Sequence, residues 1–213
     1  MNSEELRALP DAFCWTKFGT EASESVERIL LRKEAERLAN DGVFLWGIGN
    51  AIGPSIVELA RHIQRPHVFF SPIKSRPRRR DVTPPAVVAW TSATAADGSH
   101  FALPPHSLVT SSYDPASPKC CHYALICFTE VPLSDGRLPL TVEFDSLRNL
   151  RTGRPLGSSQ VTAVVRRGPP TARGGRRYNV ALHARLIEPY LVRLTQAVPF
   201  ETLTAGTDKC RML

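Results

Sequence analysis

The chain has 213 residues, of which 42% are hydrophobic, and carries a formal net charge of +7 with an isoelectric point near 9.5. This length fits one globular domain, with or without an appended arm, and is long enough to bury a core. No run of about 18 uncharged apolar residues predicts a membrane span. The acidic start MNSEELRALPDAF lacks the order of a secretory signal, which predicts a cytoplasmic protein.

The spacing of cysteines and histidines argues against two common kinds of site. The five cysteines are an odd number without a Cys-x-x-Cys pair, so neither a disulfide framework nor a zinc ribbon is expected. The six histidines have no metal-ligand spacing, and each is interpreted as a surface or core residue. We therefore predict no metal and no cofactor.

The first third of the chain predicts strands and helices in alternation. The apolar run AFCWTKF, residues 12–18, predicts a strand, and residues 21–40 have apolar side chains at helical spacing before an Asn-Asp-Gly stop. The segment VFLW, residues 43–46, predicts a second strand. Residues 53–64 predict a shorter helix with Pro54 in its first turn.

The middle of the chain is richer in strands. Strands are predicted over residues 65–71 and 85–93, followed by a polar segment, residues 94–119, whose length is typical of a binding loop. The segment CCHYALICFTEVPL, residues 120–133, is the longest apolar run and predicts a central strand. After an irregular stretch, residues 161–165 predict one more strand.

The C-terminal segment predicts a helix. Leu182, Leu186, Tyr190 and Leu194 recur every four residues, which indicates an amphipathic helix over residues 178–198, kinked at Pro189. The mixture of elements favours a compact α+β, barrel-like domain. We predict a main domain over residues 1–168, with residues 169–213 forming a basic linker and a helix packed on the same domain.

The positive charge is concentrated in two segments. KSRPRRR, residues 74–80, has five cations in seven positions, and RRGPPTARGGRR, residues 166–177, has five more. Such clusters attract polyanions, and each neutralised phosphate adds a salt-sensitive increment to binding. The alternative is a solvated basic surface with a flexible loop. Pro and Gly residues flank both segments and keep them out of helices, which favours binding to nucleic acid over the alternative.

The order of these elements resembles the YTH domain, a member of the PUA-like superfamily that also contains the EVE and ASCH domains. The resemblance covers about residues 12–165 and is carried by CWTKFGTEASESVERI, FLWGIGN, HVFFSPIKSRP, AVVAWTSA, CHYALICFTEVPL and FDSLRNLRTGRPLGSSQ. It implies a small curved β-barrel with flanking helices. In that family a flipped or single-stranded modified base is sandwiched by aromatic rings and read by backbone groups.

The resemblance also implies the residues of a base-binding site. Trp46 matches the wall of the aromatic cage, and Phe18 matches another side of the pocket. The backbone beside Trp46 is that of Gly47, Ile48, Gly49 and Asn50. The family's second cage tryptophan is missing, since no Trp lies between positions 91 and 119. Trp90, Phe101 or Tyr113 would have to replace it.

A phosphate-contacting arginine of the family is also missing, because serines occupy positions 158 and 159. Nearby cations would have to take its place, namely Lys74, Arg76, Arg78, Arg79 and Arg80 or Arg151 and Arg154. These departures point to a modified base other than methylated adenine.

The residue types in GVFLWGIGN suit a planar ligand. Stacking of a base on an aromatic ring contributes about 1 to 3 kcal/mol, and Gly47 and Gly49 leave the main chain accessible. Asn50 offers a donor and an acceptor for a base edge. The alternative for Trp46 is an ordinary core aromatic at the end of a strand.

Two enzymatic alternatives use the same fold. A DNA glycosylase that excises hydroxymethylated or glucosylated cytosine needs a lysine nucleophile or a carboxylate, and the candidates are Lys17, Glu21 and Asp81. An ASCH-like hydrolase of a modified base or nucleoside would use the cluster Thr16, Lys17, Thr20 and Glu21.

The sequence therefore predicts a monomeric module that recognises a modified base in nucleic acid, with DNA favoured over RNA and anti-phage defence as the setting. No fused nuclease is visible. Either a nuclease or repair partner acts on the bound strand, or the chain itself removes the base.

Overall fold

The computed structural model describes residues 9–19, 25–49, 52–73, 87–104, 107, 110–112, 122–133, 140–169 and 175–199. These residues form a mixed α+β structure with one large sheet, one two-stranded sheet and two helices, which confirms the α+β class. No helix in these ranges is both long enough and apolar enough to cross a bilayer. In chain order the elements are β1 (Ala12–Phe18), α1 (Val26–Ala39), β2 (Val43–Ile48), α2 (Gly53–His62), β3 (His67–Pro72), β4 (Val87–Thr94), β5 (His100–Phe101), β6 (Thr110–Ser112), β7 (Tyr123–Phe128), β8 (Thr141–Glu143), a 3-10 turn (Phe144–Ser146), β9 (Leu147–Asn149), β10 (Thr162–Arg167), β11 (Arg177–Asn179) and β12 (Leu182–Pro199).

The large sheet has the order β2-β7-β12-β3-β1-β10-β9, and β4 joins it through β12. Strands β1 and β3 are parallel, whereas the other pairs are antiparallel. Strand β7 has partners on both edges, as the prediction of a central strand requires. The predicted loop 94–119 contains β5 and β6, which both pair with β4.

The sheet is strongly curved. Strands β1 and β2 are four positions apart in the sheet order, so a flat sheet would separate them by about 19 Å. However, the ring centroids of Phe18 in β1 and Trp46 in β2 are only 5.2 Å apart. Among the described residues no hydrogen-bonded pair joins β2 to β9, so the curved sheet is not closed into the small β-barrel that the resemblance implies.

Alternation along β1 divides the core into two layers. Cys14 and Phe18 pack in a cluster with Ile29 of α1 and with Ile56 and Leu59 of α2. On the opposite face of the sheet, Phe13 and Trp15 pack with Val142 of β8, Phe144 and Tyr178 of β11. Successive strand residues point to opposite faces, so neighbouring residues of β1 contribute to different sites.

The prediction of a helix over residues 178–198 is wrong, because this segment forms β11 and the 18-residue strand β12. The four-residue spacing of Leu182, Leu186, Tyr190 and Leu194 indicated a helix. Four is also a multiple of the two-residue period of a strand, so the pattern fits both structures. Strand β12 pairs with β3, β4 and β7, so the C-terminal segment belongs to the main sheet.

An irregularity in β12 reverses which side chains face the helices. Leu182 and Leu186 lie in the helix-side cluster, and after the register shift between Leu186 and Leu191 it is Leu191 that joins them. Val192 and Leu194 then pack in a third cluster on the other face. One strand thus contributes to two of the three core clusters because its register changes midway.

Candidate functional site

Trp46 lies in the helix-side core. Its ring centroid is 4.5 Å from that of Phe70, at an angle of 55°, and 5.2 Å from that of Phe18 in an edge-to-face arrangement. The tryptophan is only 6% exposed. Both neighbouring rings therefore occupy space around the indole where a sandwiched base was expected to lie.

The strand end beside Trp46 has accessible main chain. Gly47 and Gly49 are exposed, whereas Ile48 between them is buried. A Cβ placed on Gly49 would meet no heavy atom within 4 Å, and its backbone is not in the left-handed region. A ligand can approach the peptide groups here without displacing a side chain. Asn50 lies outside the described residues.

Lys17 points to the opposite face of β1 from Phe18. Its side chain is buried, and its Nζ lies 5.6 Å, 5.3 Å and 5.7 Å from the ring centroids of Trp15, Phe144 and Tyr178. The ammonium donates a hydrogen bond of 3.1 Å to the carbonyl oxygen of Ser158. These are distances at which rings stabilise a cation. Lys17 therefore lies in an aromatic recess.

The pKa of the Lys17 ammonium lies below the ordinary lysine value. Burial lowers the pKa of the Lys17 ammonium, and the positive charge of Arg176 lowers it further. The Arg176 guanidinium lies 4.4 Å from the Phe144 centroid and forms a 2.6 Å ion pair with Asp145. A lysine with a lowered pKa is a better nucleophile near neutral pH. Glu21 and Asp81, the other two catalytic candidates, lie outside the described residues.

The predicted aromatic residues do not meet at one place. Trp90 is buried with Leu45 and Ile126 in the third cluster, and Phe101 packs against that cluster. Trp46 and Phe18 belong to the helix-side cluster. Tyr113 lies outside the described residues. Neither Trp90 nor Phe101 is therefore seen to complete a cage around Trp46.

Two predicted phosphate-binding arginines occupy one turn. Asn149 fixes this turn, because its Oδ1 accepts hydrogen bonds of 3.1 Å from the Arg151 N–H and 3.0 Å from the Thr152 N–H. Its own N–H donates to the Arg154 carbonyl oxygen at 2.8 Å. The side chains of Arg151 and Arg154 are exposed. The other predicted cations, Lys74, Arg76, Arg78, Arg79 and Arg80, lie outside the described residues.

A third guanidinium adjoins this turn. Arg166 of β10 is exposed, and its Nη2 lies 3.2 Å from the position that a Cβ on Gly153 would take. No carboxylate in the described part of the chain forms an ion pair with Arg151, Arg154 or Arg166. We call these three residues the arginine turn.

Sequence reasoning missed the neighbours of Lys17. Alternation within CWTKF places Trp15 and Lys17 on one face, and this signal was available in the sequence. Phe144 and Tyr178 reach the same place because β8 pairs with β11, with Tyr178 opposite Val142. That pairing joins distant segments, and nothing in the sequence indicates it.

The described residues contain no group of three or more His, Cys, Asp or Glu side chains that could hold a metal ion. Comparisons with known proteins add no relative, because no family model, no curated protein and no solved structure matches the chain. The case for function therefore rests on the side chains themselves.

We predict that replacement of Arg176 by Gln raises the pKa of Lys17, because one positive charge is removed and the negative charge of Asp145 remains. The value should stay below the ordinary lysine value, since burial is the larger cause of the shift. NMR titration of the lysine side-chain resonances measures this change. Arg177→Gln, the exposed neighbour, is the control and should leave the Lys17 titration unchanged. An unaltered Lys17 pKa in Arg176→Gln would contradict the described geometry.

Proposed function

We propose that this chain is a PUA-like module, similar to YTH and EVE domains, that binds nucleic acid and recognises a modified base which is flipped or single-stranded. DNA is the favoured polymer, and anti-phage defence is the favoured setting. The observation that carries the proposal is the arginine turn, three exposed guanidiniums without a carboxylate partner among the described residues.

The arginine turn has the chemistry of a phosphate-binding surface. Guanidinium groups bind phosphate oxygens through two parallel hydrogen bonds, and unpaired guanidiniums do not first have to break an ion pair. Asn149 holds the backbone between Arg151 and Arg154 in a fixed turn. The overall charge of +7 adds long-range attraction for a polyanion.

The end of β2 is the proposed base-reading site. Phe70 and Phe18 already pack against the indole of Trp46, so we assign the base contact to the exposed main chain of Gly47 and Gly49. Peptide groups can read the hydrogen-bonding edge of a base, and the aromatic rings beneath them support a rigid strand end. A flipped base recovers the few kcal/mol of lost stacking through such contacts.

A DNA glycosylase is the second candidate, and the recess around Lys17 favours it. A buried amine with a lowered pKa can attack C1′ of a nucleoside, and the base then leaves with the electrons of the glycosidic bond. The attached amine then loses a proton, and the C1′–O4′ bond breaks as O4′ takes a proton, which gives a Schiff base between lysine and sugar that can be reduced to a stable adduct. The three rings around Lys17 would exclude water from the amine.

We expect the double variant Arg151→Gln and Arg154→Gln to weaken binding of all single-stranded oligonucleotides alike, because phosphate contacts carry no sequence information. A plot of log affinity against log salt concentration has a negative slope, and its magnitude should decrease by about 1 for each phosphate contact that is lost. Fluorescence anisotropy with a labelled oligonucleotide measures both quantities. The paired variant Arg28→Gln and Arg61→Gln, on the exposed faces of the helices, is the control. An unchanged slope would remove the arginine turn from the interface.

We expect Gly49→Leu to abolish preference for an oligonucleotide with hydroxymethylcytosine over one with cytosine, because the new side chain covers the main chain. The salt-dependent background affinity should remain. Gly157→Leu is the matched control, since a Cβ on either glycine has no heavy atom within 4 Å. Equal discrimination by Gly49→Leu and the unaltered protein in a competition titration would refute the assignment of the base to β2.

For the glycosylase alternative, incubation with DNA containing hydroxymethylated or glucosylated cytosine in the presence of borohydride should yield a covalent protein–DNA adduct. Lys17→Met should abolish the adduct and retain the fold, which circular dichroism verifies. Strand binding without an adduct and without alkali-sensitive sites would leave the chain a reader rather than an enzyme.

A further inference from the structure

A pocket opens beside the irregularity of β12. Its volume is about 550 Å³, and the residues that line it include Arg65, Phe128, Arg185, Glu188 and Tyr190. This volume lies within the range of about 300 to 1,000 Å³ that is typical of small-molecule sites. None of these residues belongs to the arginine turn, the end of β2 or the recess around Lys17.

The pocket is lined by two arginines, Arg65 and Arg185, and by two glutamates, Glu130 and Glu188. The guanidinium of Arg185 lies 5.4 Å from the ring centroid of Phe128, and within the described ranges neither Arg185 nor Arg65 forms an ion pair. Burial, followed by the charge of Arg185, lowers the pKa of the neighbouring His67. The charge of Arg185 thus acts on the groups around the pocket.

Tyr190 has an unusual backbone conformation at the same place. Its φ is 62°, in the left-handed region that favours glycine and asparagine. Its hydroxyl donates a 3.1 Å hydrogen bond to Oε1 of Glu188. A large side chain held in such a conformation is often part of a functional site. Here the residue is half-buried and lines the pocket.

We propose that this pocket binds one nucleotide. Arg65 and Arg185 would bind the phosphate, and the ring of Tyr190 or Phe128 would stack on the base. The carboxylate of Glu188 would accept a hydrogen bond from an exocyclic amino group, as carboxylates do with cytosine. A simple inorganic anion would use only the arginines, whereas a nucleotide uses the cations, the rings and the carboxylate together.

The inference goes beyond the proposed base-reading site, because it adds a second place for a nucleotide. The ligand could be a free nucleotide or one residue of a bound strand. The two sources share their chemistry, and they differ in whether binding requires a polymer.

The test uses the full chain with two probes, cytidine 5′-monophosphate and a single-stranded oligodeoxycytidylate, in calorimetric titrations. Arg185→Gln should weaken binding at least about tenfold, through loss of a charged hydrogen bond to phosphate. Tyr190→Asn should weaken it about 5- to 150-fold through loss of stacking. Asparagine suits the backbone at this position, so this variant should fold even if Arg185→Gln does not. Arg28→Gln is the control and should bind like the unaltered protein.

The outcomes separate this inference from the proposed function. Loss of binding of the monophosphate in both variants supports the pocket as a site for free nucleotide, and loss of binding of the oligonucleotide alone supports a strand. Failure of the unaltered protein to bind either probe would overturn the inference, as would unchanged affinity in both variants. If strand binding responds to the arginine turn but not to Arg185 or Tyr190, the pocket fails and the proposed function stands.

Discussion

The register change in β12 is the constraint on which the arrangement of the molecule depends. This strand pairs with β3 before the irregularity and with β4 after it, and β7 pairs with it on both sides of the change. Because the side of the strand that faces the helices changes between Leu186 and Leu191, one strand completes two of the three core clusters. The irregular residues, freed from regular pairing, form part of the wall of the pocket around Arg185. Regular pairing throughout would keep every second side chain of β12 on the same face of the sheet.

Helix α1 anchors the strand that carries the proposed base-reading site. Its buried face contains Lys33 and Glu36, whose Nζ and Oε2 atoms are 2.6 Å apart, whereas Leu31 and Leu38 are exposed. The other carboxylate oxygen of Glu36 accepts a 2.8 Å hydrogen bond from the Leu45 N–H of β2. In the described sheet β2 is an edge strand, and unpaired edge groups favour association with other strands. A buried carboxylate thus replaces a missing strand partner and fixes the position of Trp46.

The sequence allowed most of the elements but little of the site to be predicted. The strand at residues 12–18 and the helix before β2 were found because their apolar patterns are local. Strand β12 was predicted as a helix because a spacing of four residues fits both periods. The recess of Lys17 depends on Phe144 and Tyr178, which come together through the pairing of β8 with β11. Pairing of distant segments is set by packing, which local periodicity does not encode.

The two sides of β1 separate the two proposed chemistries. Phe18 faces the helix-side layer with Trp46, and Lys17 faces the recess with Trp15. A single base lying against the end of β2 is therefore on the other face of the sheet from the amine of Lys17. Reading and excision of the same base would require it to move between faces. A reader needs only the accessible peptide groups at Gly47 and Gly49, whereas excision requires the recess to open, since its amine already donates to Ser158. In the described conformation the contacts for the proposed reading are accessible and the amine needed for the proposed excision is covered, which supports the first proposal over the second.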